Sequence, residues 1–331
     1  MAYTAIDDPS AFFQCSLYAG NAGTQTITHG GNSDLQADMV WLKGRNHAES
    51  TFVTDSVRGV NAQLYTNGTN AEGTETNVVT GFGSDSIAIG NYSDTNSSNK
   101  IYVSWNWKES VAAGMDIIAY TGNATGGRTV AHNLGAVPAM IICKNRAASV
   151  KWAVYHQANT SAPQTDHLKL NAQDATADDD STWNDTAPTS SVFSVGGSTS
   201  TNGGSTAYIA YLFAEKKGYS KFGIYQGNGN ADGAFIYTGF KPAFFMAKAT
   251  GRSESWYIFD NKRSGHNPEN EQLYADSTAA EDTTDYIDML SNGIKFRYNS
   301  VGLNGLNLPY IFMAFAENPF ATSTGIPATA R

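Results

Sequence analysis

The tetrapeptide pattern Tyr-x-Gly-Asn stands three times in this chain, opening at Tyr18, Tyr120 and Tyr225, and the landmarks after it recur in the same order. An apolar run closed by a lysine comes next (39–43, 140–144, 244–248). An aromatic run follows (52–55, 152–156, 256–260), and then a closing run that opens on Tyr102, Tyr208 or Tyr310. The spacing changes by only a few residues between copies, which sets a period of roughly 100 residues. Solenoid and propeller units are shorter, about 20 to 50 residues, whereas a unit of roughly 100 can bury its own sheet faces. The repeat therefore predicts three tandem domains, 1–111, 112–217 and 218–331, with links at 109–114 and 216–220 and with separate cores instead of one.

Composition specifies the class. The chain holds 32 Gly, 17 Tyr and 16 Phe, is dense in Ser, Thr and Asn, and has only 15% charged residues, a mixture suited to short strands joined by turns. Apolar residues at helical spacing are missing except at 282–290. Short strands are predicted before each Gly-Asn pair (12–18, 117–120, 222–225) and again at 87–89, 192–195 and 294–296. Trp256, Tyr257, Ile258 and Phe259 make both faces of their strand apolar, which requires cover on both sides. The expectation is an all-β chain of three tandem antiparallel β-sandwich domains, jelly-roll-like, with Trp152, Trp256, Tyr208 and Tyr310 buried. The Gly-Asn pair is read as a turn in which both residues tolerate positive φ.

A net charge of −9 and a pI near 5.1 leave no basic face for phosphate, which argues against nucleic acid. Cys15 and Cys143 lie in apolar strands and are expected as buried free thiols. No secretory signal opens the chain and no apolar stretch nears the roughly 18 residues that span a bilayer, so synthesis in a cytoplasm without membrane insertion is expected. The sequons at Asn67, Asn123 and Asn184 follow from composition.

Candidate chemistry is sparse. Gly-x-Ser-x-Gly, Cys-x-x-Cys, His-Glu-x-x-His and phosphate-loop patterns are absent. His132 and His156 could approach each other, but Tyr237 and Asp260 take those places in the third copy, so both are read as structural. The run from Asn228 to Gly233 imitates the start of a calcium loop, yet Gly239 stands where a bidentate carboxylate is needed. Asp174, Asp178, Asp179 and Asp180 read as a solvated loop. Nothing selects a carboxylate pair for glycoside hydrolysis. No catalytic, cofactor-binding or metal-binding residue is expected.

Several segments resemble virion proteins of marine tailed bacteriophages, including cyanophages: 3–14, 44–46, 55–59, 104–108, 183–193, 225–241 and 310–320. The resemblance runs over essentially the whole chain and implies a structural or tail-fibre-like component of the virion, without catalytic residues. Fibres join an anchor to a shaft of heptads or low-complexity repeats, whereas here a ten-residue lead enters the first copy directly and the third copy ends the chain. A short spike or tail appendage that attaches to the host is therefore expected, with a capsid decoration protein as the alternative and a glycan depolymerase as the third reading. The implied partners are other virion proteins, further copies of the chain and a host cell-surface glycan. Loops 67–76, 171–188 and 261–284 diverge most between copies, and at least one of them is expected to face away from the attachment site and meet the host surface.

Overall fold

A computed structural model describes residues 3–284 and 286–327. The first repeat contains β1 (Phe13–Ala19), β2 (Gln25–Thr28), β3 (Met39–Gly44), β4 (Phe52–Asp55), β5 (Leu64–Tyr65), β6 (Val79–Gly83), β7 (Ser86–Ile89), helix α1 (Ser93–Asn96) and β8 (Ile101–Trp107). The second contains β9 (Met115–Thr121), β10 (Arg128–Ala131), β11 (Met140–Asn145), β12 (Ala153–His156), β13 (Asp166–Lys169), β14 (Ala177–Asp178), helix α2 (Asp180–Trp183), β15 (Val192–Val195) and β16 (Ala207–Phe213). The third contains β17 (Ser220–Gln226), β18 (Phe235–Tyr237), β19 (Phe240–Ala249), β20 (Tyr257–Asp260), β21 (Leu273–Tyr274), β22 (Ile287–Leu290), β23 (Gly293–Phe296) and β24 (Pro309–Pro319).

The class is all-β, and every repeat is built from a large and a small antiparallel sheet. The large sheets run β1-β8-β3-β4-β5, β9-β16-β11-β12-β13-β14 and β17-β24-β19-β20-β21. The small ones run β2-β7-β6, β10-β15 and β18-β23-β22. Pairing of first strand with last and second with seventh is wrapping of the jelly-roll kind, while the third, fourth and fifth strands form a plain meander. The stretch expected as a helix at 282–290 contains β22 instead, Asp285 lying outside the described residues. Ile287 and Met289 enter the core and Asp288 between them does not, so its period is two.

Each large sheet is covered on both faces. Along β3, Val40 and Leu42 pack on the small sheet of their own repeat, while Met39 and Trp41 point the other way. Ile141 and Cys143 against Met140 and Ile142, and Phe245 and Ala247 against Phe244 and Met246, divide in the same manner. The second set from all three repeats forms one central core. Each repeat keeps a sandwich core of its own, as expected, and the shared central core is a fourth that the expectation lacked. A sheet of a free-standing sandwich wets its outer face and would alternate polar with apolar, so strands apolar on both faces need a third layer, which the other two repeats provide. Trp107, Phe213 and Phe315 occupy the same position on β8, β16 and β24, and Phe315 meets the other two rings edge-on at 5.8 and 5.9 Å. Trp152, Trp256, Tyr208 and Tyr310 are each no more than 1% exposed.

The Tyr-x-Gly-Asn signature proves to be a clasp. Its tyrosine stacks on the closing tyrosine in every copy, with ring centroids 5.1, 5.0 and 4.9 Å apart for Tyr18–Tyr102, Tyr120–Tyr208 and Tyr225–Tyr310. The glycine has a reason other than positive φ. A Cβ on Gly20, Gly122 or Gly227 would stand 2.1, 2.0 or 2.3 Å from a backbone carbonyl oxygen of the loop before the closing strand. Positive φ falls one residue after the asparagine, at Ala22, Ala124 and Gly229. A second asparagine, fully buried, completes the clasp: the side-chain oxygens of Asn96, Asn202 and Asn304 accept from the backbone N–H of Asn21, Asn123 and Asn228 at 2.9 to 3.0 Å. Asn202 Nδ2 also donates to Thr125 O and Gly196 O. Asn202→Ala should therefore cost about 2 kcal/mol, because it strands buried backbone groups. Denaturant melts of the variant and parent that coincide would remove the clasp from the stability argument.

Candidate functional site

The divergent loops lie where one repeat meets the next, and each receives a buried lysine from its neighbour. Lys43 Nζ donates to Ser277 O at 2.7 Å, Lys144 Nζ to Thr69 O at 2.9 Å, and Lys248 Nζ to Gln173 O at 3.2 Å. Repeat 1 thus reaches repeat 3, repeat 2 reaches repeat 1 and repeat 3 reaches repeat 2, which closes a ring. Backbone bonds follow the same circuit: Glu72 N–H to Arg146 O, Thr176 N–H to Thr250 O, and Glu281 N–H to Arg45 O, at 2.8 to 2.9 Å. The three ammonium groups also donate to carbonyls of their own hairpins, including Glu49, Val150 and Ala249. Desolvation disfavours the charged form, and burial pushes each lysine down to about 8.

Two junctions carry a chain of charges. Between repeats 1 and 2, Arg58 bridges Asp55 at 2.5 Å and Glu72 at 3.0 Å, and Glu72 holds Arg146 at 2.7 Å. Between repeats 3 and 1, Arg263 bridges Asp260 at 2.5 Å and Glu281 at 3.2 Å, and Glu281 holds Arg45 at 2.7 Å. Each aspartate reaches the neighbouring repeat, Asp55 accepting from Tyr211 OH at 2.6 Å and Asp260 from Trp105 Nε1 at 2.9 Å. At the third junction the same four positions are neutral: His156, Asn159, Thr176 and Thr250. His156 Nε2 donates to Phe312 O at 3.1 Å, and Thr176 Oγ1 donates to Asn159 Oδ1 at 2.7 Å. Burial drives His156 down to about 4, so it stands neutral there. The whole set changes together because a buried charge without its partner is costly.

The other residues singled out in the sequence are mostly absorbed by the framework. His132 donates from Nε2 to Thr189 O, and the strand register aligns it with His29 and Thr238, not with Tyr237. It makes no bond to His156, which serves the junction instead. Cys15 and Cys143 are buried and unbridged, and burial raises both thiols, Cys143 to about 12. Asn228 belongs to a clasp, and Asp232 pairs with Lys295 at 2.7 Å. Asp174 pairs with Lys169, and Asp179 caps α2 by accepting from Ser181 N–H at 3.0 Å. Among the described residues no group of three His, Cys, Asp or Glu side chains is arranged to hold a metal, and no helix is long and apolar enough to cross a membrane. One polar cluster beside the neutral junction remains, with Lys151 Nζ 2.7 Å from His167 Nε2 and Asp179 4.0 Å from His167 Nδ1.

The divergent loops are therefore partly structural. Loop 171–188 contains Thr176 and the buried Trp183, which α2 delivers to the core of the second sandwich against Tyr155. Deleting 174–186 would test folding and not ligand contact. Sequence reasoning overlooked the clasp asparagines and the junction charges. Their signals were present: an asparagine six residues before each closing tyrosine, and Asp-x-x-Arg at 55–58 and 260–263 against His-x-x-Asn at 156–159.

A family model, DUF7483, described as a domain of unknown function, matches residues 8–319. Neither a curated protein nor a solved structure matches the chain.

Proposed function

The chain belongs to the DUF7483 family, and we propose that it is a structural protein of a tailed-phage particle, carried on the tail and contacting the host surface. The observation that carries this reading is the closed ring of three repeats. Side chains that recur in every copy are spent on the clasps, the lysine latches and the central core, which gives a rigid three-lobed body from one chain. A body of this kind is suited to a mechanical mount, and surface residues that differ between the lobes are free to specialise. The resemblance of the sequence to phage virion proteins supplies the setting. Docked on the particle in many symmetry-related copies, weak contacts would add through avidity.

Locating the chain in intact particles by electron microscopy with a labelled antibody tests this. Label at the tail is the expected result. Regular label over the capsid shell would replace attachment by head decoration, and unlabelled particles would remove the virion reading.

A further inference from the structure

The repeats act as internal controls for one another on the outer face of the small sheets. The inward residue of the second strand is Ile27, Val130 or Ile236, so its neighbours on either side point out. In repeat 1 those neighbours are Thr26 and Thr28, and in repeat 2 Thr129 and Ala131. In repeat 3 they are Phe235 and Tyr237, 47% and 52% exposed. The fold does not require aromatic rings there, since two copies do without them.

Both rings are nevertheless held in place. A Cβ on Gly293, across the ladder from Tyr237, would fall 2.1 Å from the Ile236 carbonyl oxygen and 2.8 Å from the Phe235 ring, so the glycine admits the close backbone approach and the ring lies in the space it leaves open. Tyr3 OH donates to Gly239 O at 2.6 Å, and Tyr237 OH donates to Tyr3 OH at 3.1 Å. The Tyr3 ring lies 6.0 Å from that of Phe320, which is 36% exposed. Phe235, Tyr237, Tyr3 and Phe320 thus form one aromatic stripe found on a single lobe.

We propose that this stripe binds a neutral oligosaccharide, the C–H faces of its sugar rings stacking on the aromatic faces. The ligand class follows from size and charge. Aromatic side chains bury about 200 Å² each, so four partly exposed rings offer roughly 400 Å², well short of the ~800 Å² per side of a stable protein interface. A patch of this size fits a small ligand. The polar rim suits hydroxyl groups without favouring a polyanion. Lys295, opposite Phe235, is neutralised by Asp232 at 2.7 Å, and Lys217 Nζ sits over the Tyr3 ring at 4.9 Å. A net charge of −9 also repels acidic polymers. The proposal deepens the attachment reading and rests on it for its biological setting only.

Affinity electrophoresis in native gels provides the test, using the full chain and gels cast with a soluble β-glucan, an α-mannan, a galactan or anionic alginate. The parent protein should be retarded by at least one neutral polysaccharide and run freely in alginate. Replacing Phe235→Thr and Tyr237→Thr together installs the residues that repeat 1 carries, and should weaken retention at least about tenfold with a thermal midpoint close to that of the parent. Should that variant melt early, Phe235→Thr alone leaves the Tyr3–Tyr237 bond intact and should still weaken retention about threefold. Val57→Ser, an exposed apolar site on another lobe, should change nothing. Free migration of the parent in every neutral gel, retention in alginate alone, or equal retention of parent and folded aromatic variants would each overturn the proposal. Particle labelling is read separately, so a tail-located protein that ignores neutral glycans loses this site and keeps the attachment reading.

Discussion

Asp260→Ala is expected to lower unfolding stability by about 3 to 5 kcal/mol, the cost of stranding a buried charge. Burial alone would raise the pKa of this carboxyl, yet Arg263 beside it and the hydrogen bonds it accepts hold it below the usual carboxylate range. Both side chains of the pair are 0% exposed. The variant removes the acceptor for Arg263 Nε, for Trp105 Nε1 and for the backbone N–H of Lys262 and Arg263. Trp105 belongs to the first repeat, so the loss falls on the contact between the chain's two ends. Combining Asp260→His with Arg263→Asn installs the neutral pair of the third junction and takes the stranded guanidinium away, so this double variant should lose less than the single one. Trp105 and Glu281 would still miss partners, which keeps it below the parent. Urea unfolding measures all three proteins, and a single-variant cost under about 1 kcal/mol would show that the junction charges do not hold the ring.

The repeat, the all-β class and the buried aromatic positions were legible because they depend on local pattern. Strand pairing follows apolar alternation, and the lysine next to last in β3, β11 and β19 marks the same ladder position in each copy. The shared core was written in the sequence as well, in strands such as β20 whose two faces are both apolar. That signal calls for a layer on each face of the sheet, but it does not say which part of the chain supplies the outer one. The clasp glycines were identified correctly but explained wrongly, since close approach of a carbonyl from a loop some eighty residues away leaves no local trace. Divergence in the three long loops has two causes: an ion-pair chain at two junctions, and a neutral substitute with a tryptophan-bearing turn at the remaining one. Sequence variation alone cannot separate a junction that has been rebuilt from a surface that has specialised. The aromatic stripe was hidden for a related reason, because aligning Tyr237 with His132 placed it one residue away from Ala131, the position it shares.

The lysine latches predict that the protein becomes more stable as the solution turns alkaline. Lys43, Lys144 and Lys248 titrate near 8 in the folded chain, below the value of about 10.4 for a free lysine. Between those values the unfolded chain holds more protons than the folded one, so unfolding free energy rises with pH through that window. The burial penalty is fully present at neutral pH and is relieved as the amines lose their protons. Three such groups should add roughly 4 kcal/mol between pH 7 and 9. The two buried thiols oppose this, since burial raises them and the unfolded cysteines ionise first, but near pH 9 they take back only about 1.7 kcal/mol, less than half of the lysine gain. Above about pH 10 the buried tyrosines reverse the trend: Tyr18, Tyr211 and Tyr225 are raised by burial, so their unfolded forms ionise first. Stability should therefore peak at about pH 9 to 10, above the usual optimum of about 5 to 8. A series of urea melts from pH 7 to 10.5 reads the curve, and Lys248→Met should remove about a third of the lysine gain. A profile that is flat or falls from pH 7 to 9 would mean that the three lysines are not desolvated inside the ring.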